Sequence, residues 1–330
     1  MRCERPGVLG APRVGPPPSI YLLKMRPDAG LAARSGRRRV AFVLSGGGSL
    51  GAIQVGMLQA LFEAGVQPDF LVGTSAGAVN AAWVAGHPHG DGVKELAGIW
   101  CGLRRQDIFP LSPWAGARGL FGRTNHLISN VGLRTLIERH IPYERLEDAA
   151  IPVRVVATDL KTGHAVILSS GPAVPALLAS TAIPGVFPPV TVGKRELIDG
   201  GVADMTPIAA AIEEGATDVY VLPIGYPWLR QERANAIGMA LQAFARVVEQ
   251  RLHVEIAAHS HAADICLLPT LDGPAVSPAD FSRTPELISR SYRATRRYLS
   301  RPREQEAVVA PRAPHIPRVV ELSAVPARVA

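Results

Sequence analysis

The stretch Val40-Ala-Phe-Val-Leu-Ser-Gly-Gly-Gly-Ser-Leu-Gly51 decides the fold class. Its first five residues are continuously apolar, which marks a strand buried on both faces, as parallel strands are. Ser45 and three glycines break the run. From about residue 50 to 64, Ile53, Met57, Leu58 and Leu61 then recur at helical spacing. A strand that turns through glycines straight into a helix opens a parallel α/β sheet. The pattern repeats at once: Asp69-Phe-Leu-Val-Gly73 reads as a second strand, with a helix after Ser75. Residues 152–160 and 164–169 read as a hairpin around Lys161-Thr-Gly163 at the sheet edge. Residues 218–225 and 264–268 are two more buried strands, separated by a long helix over about 233–259. Strands alternating with helices predict a three-layer α/β/α sandwich with a largely parallel central sheet.

Composition narrows the function. The 330 residues are 47% hydrophobic and 19% charged, which excludes a mainly disordered chain. A net charge of +7 suggests nucleic acid or membrane, but its distribution matters more. Residues 1–39 carry nine Lys/Arg against two Asp/Glu, residues 40–281 sixteen against twenty-two, and residues 282–330 ten against four. An acidic body between two basic ends excludes a basic groove through the fold, so no nucleic-acid partner is expected. Cys3, Cys101 and Cys266 are too sparse for a disulfide framework or a CxxC metal pair, which points to a cytoplasmic setting. Residues 40–62 and 70–90 lack charge over lengths that could cross a bilayer. Their glycines, serines and histidines fit a strand, a turn and a helix instead, so no transmembrane span is expected, and no signal peptide. Residues 1–39 read as a disordered basic tail rich in Pro and Arg. Residues 301–330 read as an extension of similar composition.

Three segments carry the chemistry. Ser45-Gly-Gly-Gly-Ser-Leu-Gly51 follows a strand and opens a helix, so unpaired N–H groups and the positive end of a helix dipole face outward. Such a loop binds a negative oxygen, whether a phosphate or a developing oxyanion. Gly46, Gly48 and Gly51 also spell GxGxxG. Gly73-Thr-Ser-Ala-Gly77 has the GxSxG form of a nucleophile elbow, in which Gly73 and Gly77 make room for a strained Ser75. Ile198-Asp-Gly-Gly201 ends a short apolar strand at Asp199, and Gly200 and Gly201 let the chain turn away.

In this order the three segments resemble the patatin-like phospholipase family. Thr158-Asp-Leu160 and the stretch Ala179-Ser-Thr-Ala-Ile-Pro-Gly-Val-Phe-Pro-Pro-Val190 resemble it further. The resemblance implies a patatin-like catalytic domain over residues 40–300 and a Ser75–Asp199 dyad that works without histidine, metal or cofactor. It implies hydrolysis of a fatty acyl ester or phospholipid through an acyl-enzyme. The oxyanion would be held by the amides of Gly46, Gly47, Gly48 and Ala76. Leu50 stands where the family often has Arg or Lys, which removes a cation from the loop. Asp204 and Met205 stand where an Asn pair is frequent.

Other features are weaker. The apolar segment 104–130 is a candidate acyl-chain entrance. A C-terminal helix capped by Thr284, with Pro285 in its first turn, sets Leu287, Ile288, Tyr292, Tyr298 and Leu299 on one face. Arg290, Arg293, Arg296, Arg297 and Arg301 lie on the other, a face suited to peripheral contact with anionic membrane through Arg290, Arg293 and Arg297. His87 and His89 read as loop residues, and His253, His259 and His261 as surface residues of a helix. Three other readings stay open: a histidine-using α/β-hydrolase with His253, a dinucleotide-binding domain, and a non-catalytic lipid-binding protein on the same fold.

Overall fold

The computed structural model describes residues 38–110, 125–225, 236–271 and 276–300. Residues 1–37 and 301–330, and Leu111, Trp114, Leu120 and Phe121 of the proposed acyl entrance, lie outside the described residues.

Among the described residues, eight strands form one sheet. They are β1 Val40–Leu44, β2 Phe70–Thr74, β3 Val153–Asp159, β4 Ala165–Leu168, β5 Val190–Val192, β6 Arg195–Asp199, β7 Asp218–Leu222 and β8 Asp264–Leu267. The order is β5-β6-β3-β2-β1-β7-β8, with β4 on β3. The centre, β3-β2-β1-β7-β8, is parallel, while β4, β6 and β5 are antiparallel. The helices are α1 Gly51–Glu63, α2 Ala76–Gly86, α3 Gly90–Gly102, α4 Arg105–Ile108, α5 Val131–His140, α6 Ala173–Ser180, α7 Ile208–Glu213, α8 Ala236–His259 and α9 Thr284–Leu299.

The continuous apolar run of β1 follows from burial on both faces. Phe42 and Leu44 pack toward α1, α2, α3 and α9, whereas Ala41 and Val43 pack toward α7 and α8. The three layers of the sandwich are therefore present. Helix α1 departs from the one-faced pattern. It is buried nearly all round, because α9 covers the side turned away from the sheet and leaves no room at Gly56 for a side chain. Thr284 does not cap α9. Arg283 occupies the cap position, and the Thr284 hydroxyl is buried, donating to the Phe281 carbonyl at 2.8 Å. No helix among the described residues is long and apolar enough to cross a membrane.

One detail of register positions the site. Residues 155 and 156 of β3 pair with both β2 and β4, and residues 157 and 158 pair with both β4 and β6. Strands β2 and β6 must therefore share one edge of β3, with β4 on the other. Along that shared edge Val156 faces Thr74, the last residue of β2, and Ala157 faces Asp199, the last residue of β6. The hairpin expected at the sheet edge does form, and β4 pairs only with β3 among the described residues. Strand β3 itself is internal.

Candidate active site

The register brings the end of β2 to the end of β6, and with it Ser75 to Asp199. The Ser75 hydroxyl donates to Asp199 Oδ2 at 2.7 Å, across 124 positions of sequence. Both side chains are buried. Ser75 has φ 54° and is the sole non-glycine residue with positive φ among those described. Such a conformation costs about 1–3 kcal/mol and persists only where its surroundings hold it. Small neighbours are one reason it persists here. A Cβ at Gly77 would come within 2.3 Å of the Leu44 carbonyl oxygen, so the α2 N-terminus could not approach β1 with any larger residue. A second reason is Ser180, at the end of α6. Its hydroxyl accepts the Ser75 amide at 2.8 Å and donates to the Val156 carbonyl at 2.5 Å.

Asp199 is held on every polar atom that the structure pairs. Oδ1 accepts the Gly201 amide at 2.8 Å, the backbone amide donates to Ala182, and the carbonyl accepts the Thr158 hydroxyl at 2.9 Å. A Cβ at Gly200 would lie 2.2 Å from the Val156 carbonyl oxygen, so the turn after Asp199 requires glycine there. Burial pushes the Asp199 carboxyl up to about 6, and the hydrogen bonds from Ser75 and Gly201 only partly oppose it. The carboxylate is thus ionised at neutral pH and a better proton acceptor than an ordinary aspartate.

The glycine loop lies beside this pair. Gly48 adopts φ +60°, and a Cβ there would come within 2.5 Å of the Pro278 carbonyl oxygen. The amides of Gly47, Gly48 and Ala76 have no hydrogen-bond partner among the described residues. Gly46 differs from the expectation. Its amide donates to the Met205 carbonyl at 3.1 Å, so it is not free to bind a ligand oxygen. Leu50 is fully buried in the core, and the loop presents backbone only.

The residues after Asp199 stitch the two turns together, a role that the sequence did not reveal. The Asp204 carbonyl accepts the Thr74 hydroxyl at 2.9 Å, the Met205 carbonyl takes Gly46, and the Thr206 and Ser45 hydroxyls are 2.9 Å apart. Thr206, next to the two positions that departed from the family pattern, was the signal available. Burial also lifts the Asp204 carboxyl to about 6, against the pull of Arg251.

Ser75, Ala76 and Gly48 open onto an apolar cavity walled by α2, α3 and α5. Phe109 from the expected entrance segment lines it and stacks on Phe187 at 5.5 Å. No histidine hydrogen-bonds Ser75 or Asp199 among the described residues, and His253 is exposed on α8. Residues 45–51 form a tight turn, and Gly48 of that turn lines the cavity.

Comparison with known proteins agrees with the motifs. A family model described as Patatin-like phospholipase matches residues 42–212. An uncharacterised NTE family protein of Mycobacterium tuberculosis is 35% identical over 178 residues, 54% of this chain and 29% of that protein. Patatin-like phospholipase domain-containing protein 7 of Rattus norvegicus is 28% identical over 188 residues, 56% of this chain and 14% of that protein. The matched stretch thus spans less than a third of either relative. Among solved structures, VipD from Legionella pneumophila aligns with a TM-score of 0.44 and 17% identity, covering 80% of this chain and 67% of that one.

Proposed function

The chain belongs to the patatin-like phospholipase family, and from that premise we propose that it is a lipid acyl hydrolase of the phospholipase A, lysophospholipase or carboxylesterase type, working through a Ser75–Asp199 dyad. The observation that carries this reading is the 2.7 Å hydrogen bond from a strained serine, which lines an apolar cavity, to a buried carboxylate.

Asp199 accepts the Ser75 proton as Oγ attacks the ester carbonyl. The negative charge that develops on the carbonyl oxygen is held by the amides of Gly48 and Ala76, which line the cavity beside Ser75, and of the adjoining Gly47. The N-terminal end of the α2 dipole adds to this field. As the tetrahedral intermediate collapses, the ester bond breaks and the leaving alcohol takes the proton from Asp199. Water then gives its proton to Asp199 and attacks the acyl-enzyme. The fatty acid leaves, and Ser75 recovers its proton. The strain at Ser75 and the raised Asp199 pKa serve one end, since both are unfavourable to the folded state and favourable to proton transfer.

The catalytic unit in this reading is residues 40–300. Membrane contact through α9 rests on Arg293 and Arg297, which are exposed. Arg290 shares that face, at i, i+3 and i+7 spacing with Arg293 and Arg297. It is half-buried and paired to Glu286 at 3.1 Å.

A fluorophosphonate probe tests the nucleophile directly. Labelling of the wild type and none of Ser75→Ala is the expected result; equal labelling of both proteins overturns it.

A further inference from the structure

Ser75 and Trp83 both line the cavity. Helix α2 lines one wall with Ala76, Val79 and Trp83, at three- and four-residue spacing. Helix α3 runs the opposite way along it. Its late residue Trp100 sits near Ala76, since a Cβ on Gly51 would lie 3.0 Å from the Trp100 ring and 3.2 Å from the Ala76 methyl. Its early residue Gly92 sits at Trp83. Depth in the cavity can therefore be read along α2. The eight residues from Ser75 to Trp83 rise about 12 Å.

At that depth Trp83 is pinned. Its indole N–H donates to the Gly92 carbonyl at 2.7 Å, and its face stacks on His87 at 3.9 Å with 14° between the planes. His140, the last residue of α5, sets its ring against Trp83 at 6.0 Å and 61°. His87 is thus a half-buried buttress, not the plain loop residue that its neighbours in sequence suggest. Among the described residues that line the cavity, His140 is the one titratable side chain. Burial and then the adjacent Arg139 hold it below the ordinary imidazole range, so it is neutral at pH 7 and compatible with an apolar chain end. Moving the indole aside would strand the Gly92 carbonyl and break the stack, so the ring is a fixed stop.

A fully extended chain advances about 1.2 Å per bond. Helical side chains lean toward the helix N-terminus, which brings the indole back toward Ser75 and takes a bond or two from the space. We propose that Trp83, held by Gly92 and His87 and flanked by His140, is the floor that sets the longest acyl chain the cavity accepts, which makes esters of about eight to ten carbons the preferred substrate class. The inference rests on the acyl-hydrolase reading above and adds a specificity-determining residue to it.

The test has two arms, each run with Trp83→Phe and Trp83→Ala. Trp83→Phe keeps an aromatic ring against His87 and guards against a folding failure. The first arm measures kcat/KM for acyl esters of increasing length. In the wild type each added methylene should raise it by up to about fourfold while the methylene is buried. Beyond about ten carbons the rise should break. Trp83→Phe moves the break outward slightly and Trp83→Ala moves it further. The second arm measures thermal stabilisation of Ser75→Ala by saturated fatty acids of the same lengths, with and without the Trp83 changes, and needs no turnover. A break at one length in all proteins, in both arms, overturns the floor. A fatty-acid break that moves with Trp83, without Ser75-dependent ester turnover, keeps the floor and removes the hydrolase reading. Ser75-dependent turnover whose break does not move does the reverse.

Discussion

Two turns on adjacent strands face the cavity, and they use glycine to opposite ends. After β1, residues 45–51 offer only backbone. Gly48 sits at φ +60° against the Pro278 carbonyl, and the amides of Gly47 and Gly48 are left without partners among the described residues. After β2, residues 73–77 offer a side chain. There the positive φ falls on Ser75 itself, and the glycines at 73 and 77 stand aside so that α2 can pack against β1. In the first turn a glycine relieves strain and exposes donors. In the second the strain is kept, and it aims a hydroxyl. The same rule of small residues between strand and helix thus yields an oxygen-binding cradle in one place and a nucleophile in the other.

The largest effects should come from the second turn. Ser75→Ala and Asp199→Asn should each lower ester turnover by about 10⁴-fold or more, with the fold intact by circular dichroism. Full turnover in Asp199→Asn would mean that Ser75 has another base. The first turn should be next. Gly48→Ala, forced into an unfavourable φ beside a backbone oxygen, should cost about 10²–10³ in kcat with a smaller change in KM. An unchanged kcat would show that the two turns do not share the reaction.

The raised carboxyl of Asp199 separates rate from stability. Turnover needs the carboxylate, so kcat/KM should fall as pH drops through about 6. Stability runs the other way. Between about pH 4 and 6 the folded Asp199 holds a proton that the unfolded chain has lost, so its contribution weakens as pH rises through that window. Asp199→Asn should therefore be more stable than the wild type at pH 7 by roughly 2–3 kcal/mol, with the gain gone below about pH 4. Urea titrations at the two pH values would read it, and equal stability at pH 7 would count against the burial cost. The smallest effect belongs to Ser180. Ser180→Ala leaves the Ser75 amide and the Val156 carbonyl unpaired, at about 1–3 kcal/mol of stability. It should lower kcat while fluorophosphonate labelling persists. Unchanged kcat and melting temperature would mean that the elbow holds its shape without it.

What was legible in the sequence was local. Two strand–glycine–helix units, the GxSxG elbow and the aspartate that ends β6 each rest on backbone preferences set within a few residues: continuous apolar runs, helical spacing, and glycine where φ or close approach requires it. Those preferences single out Ser75 and Gly48 before any contact is known, and the resemblance to the family adds Asp199. The tertiary structure decided the rest, because the deciding contacts lie far apart in sequence. The edge of β3 passes from β2 to β6 between Val156 and Ala157, and that step alone sets Ser75 against Asp199. The Met205 carbonyl takes the Gly46 amide and the Ser180 hydroxyl takes the Ser75 amide. None of these pairings has a local signature. A donor's spare capacity depends on what the folded chain packs beside it, and that is fixed by strand register and helix placement.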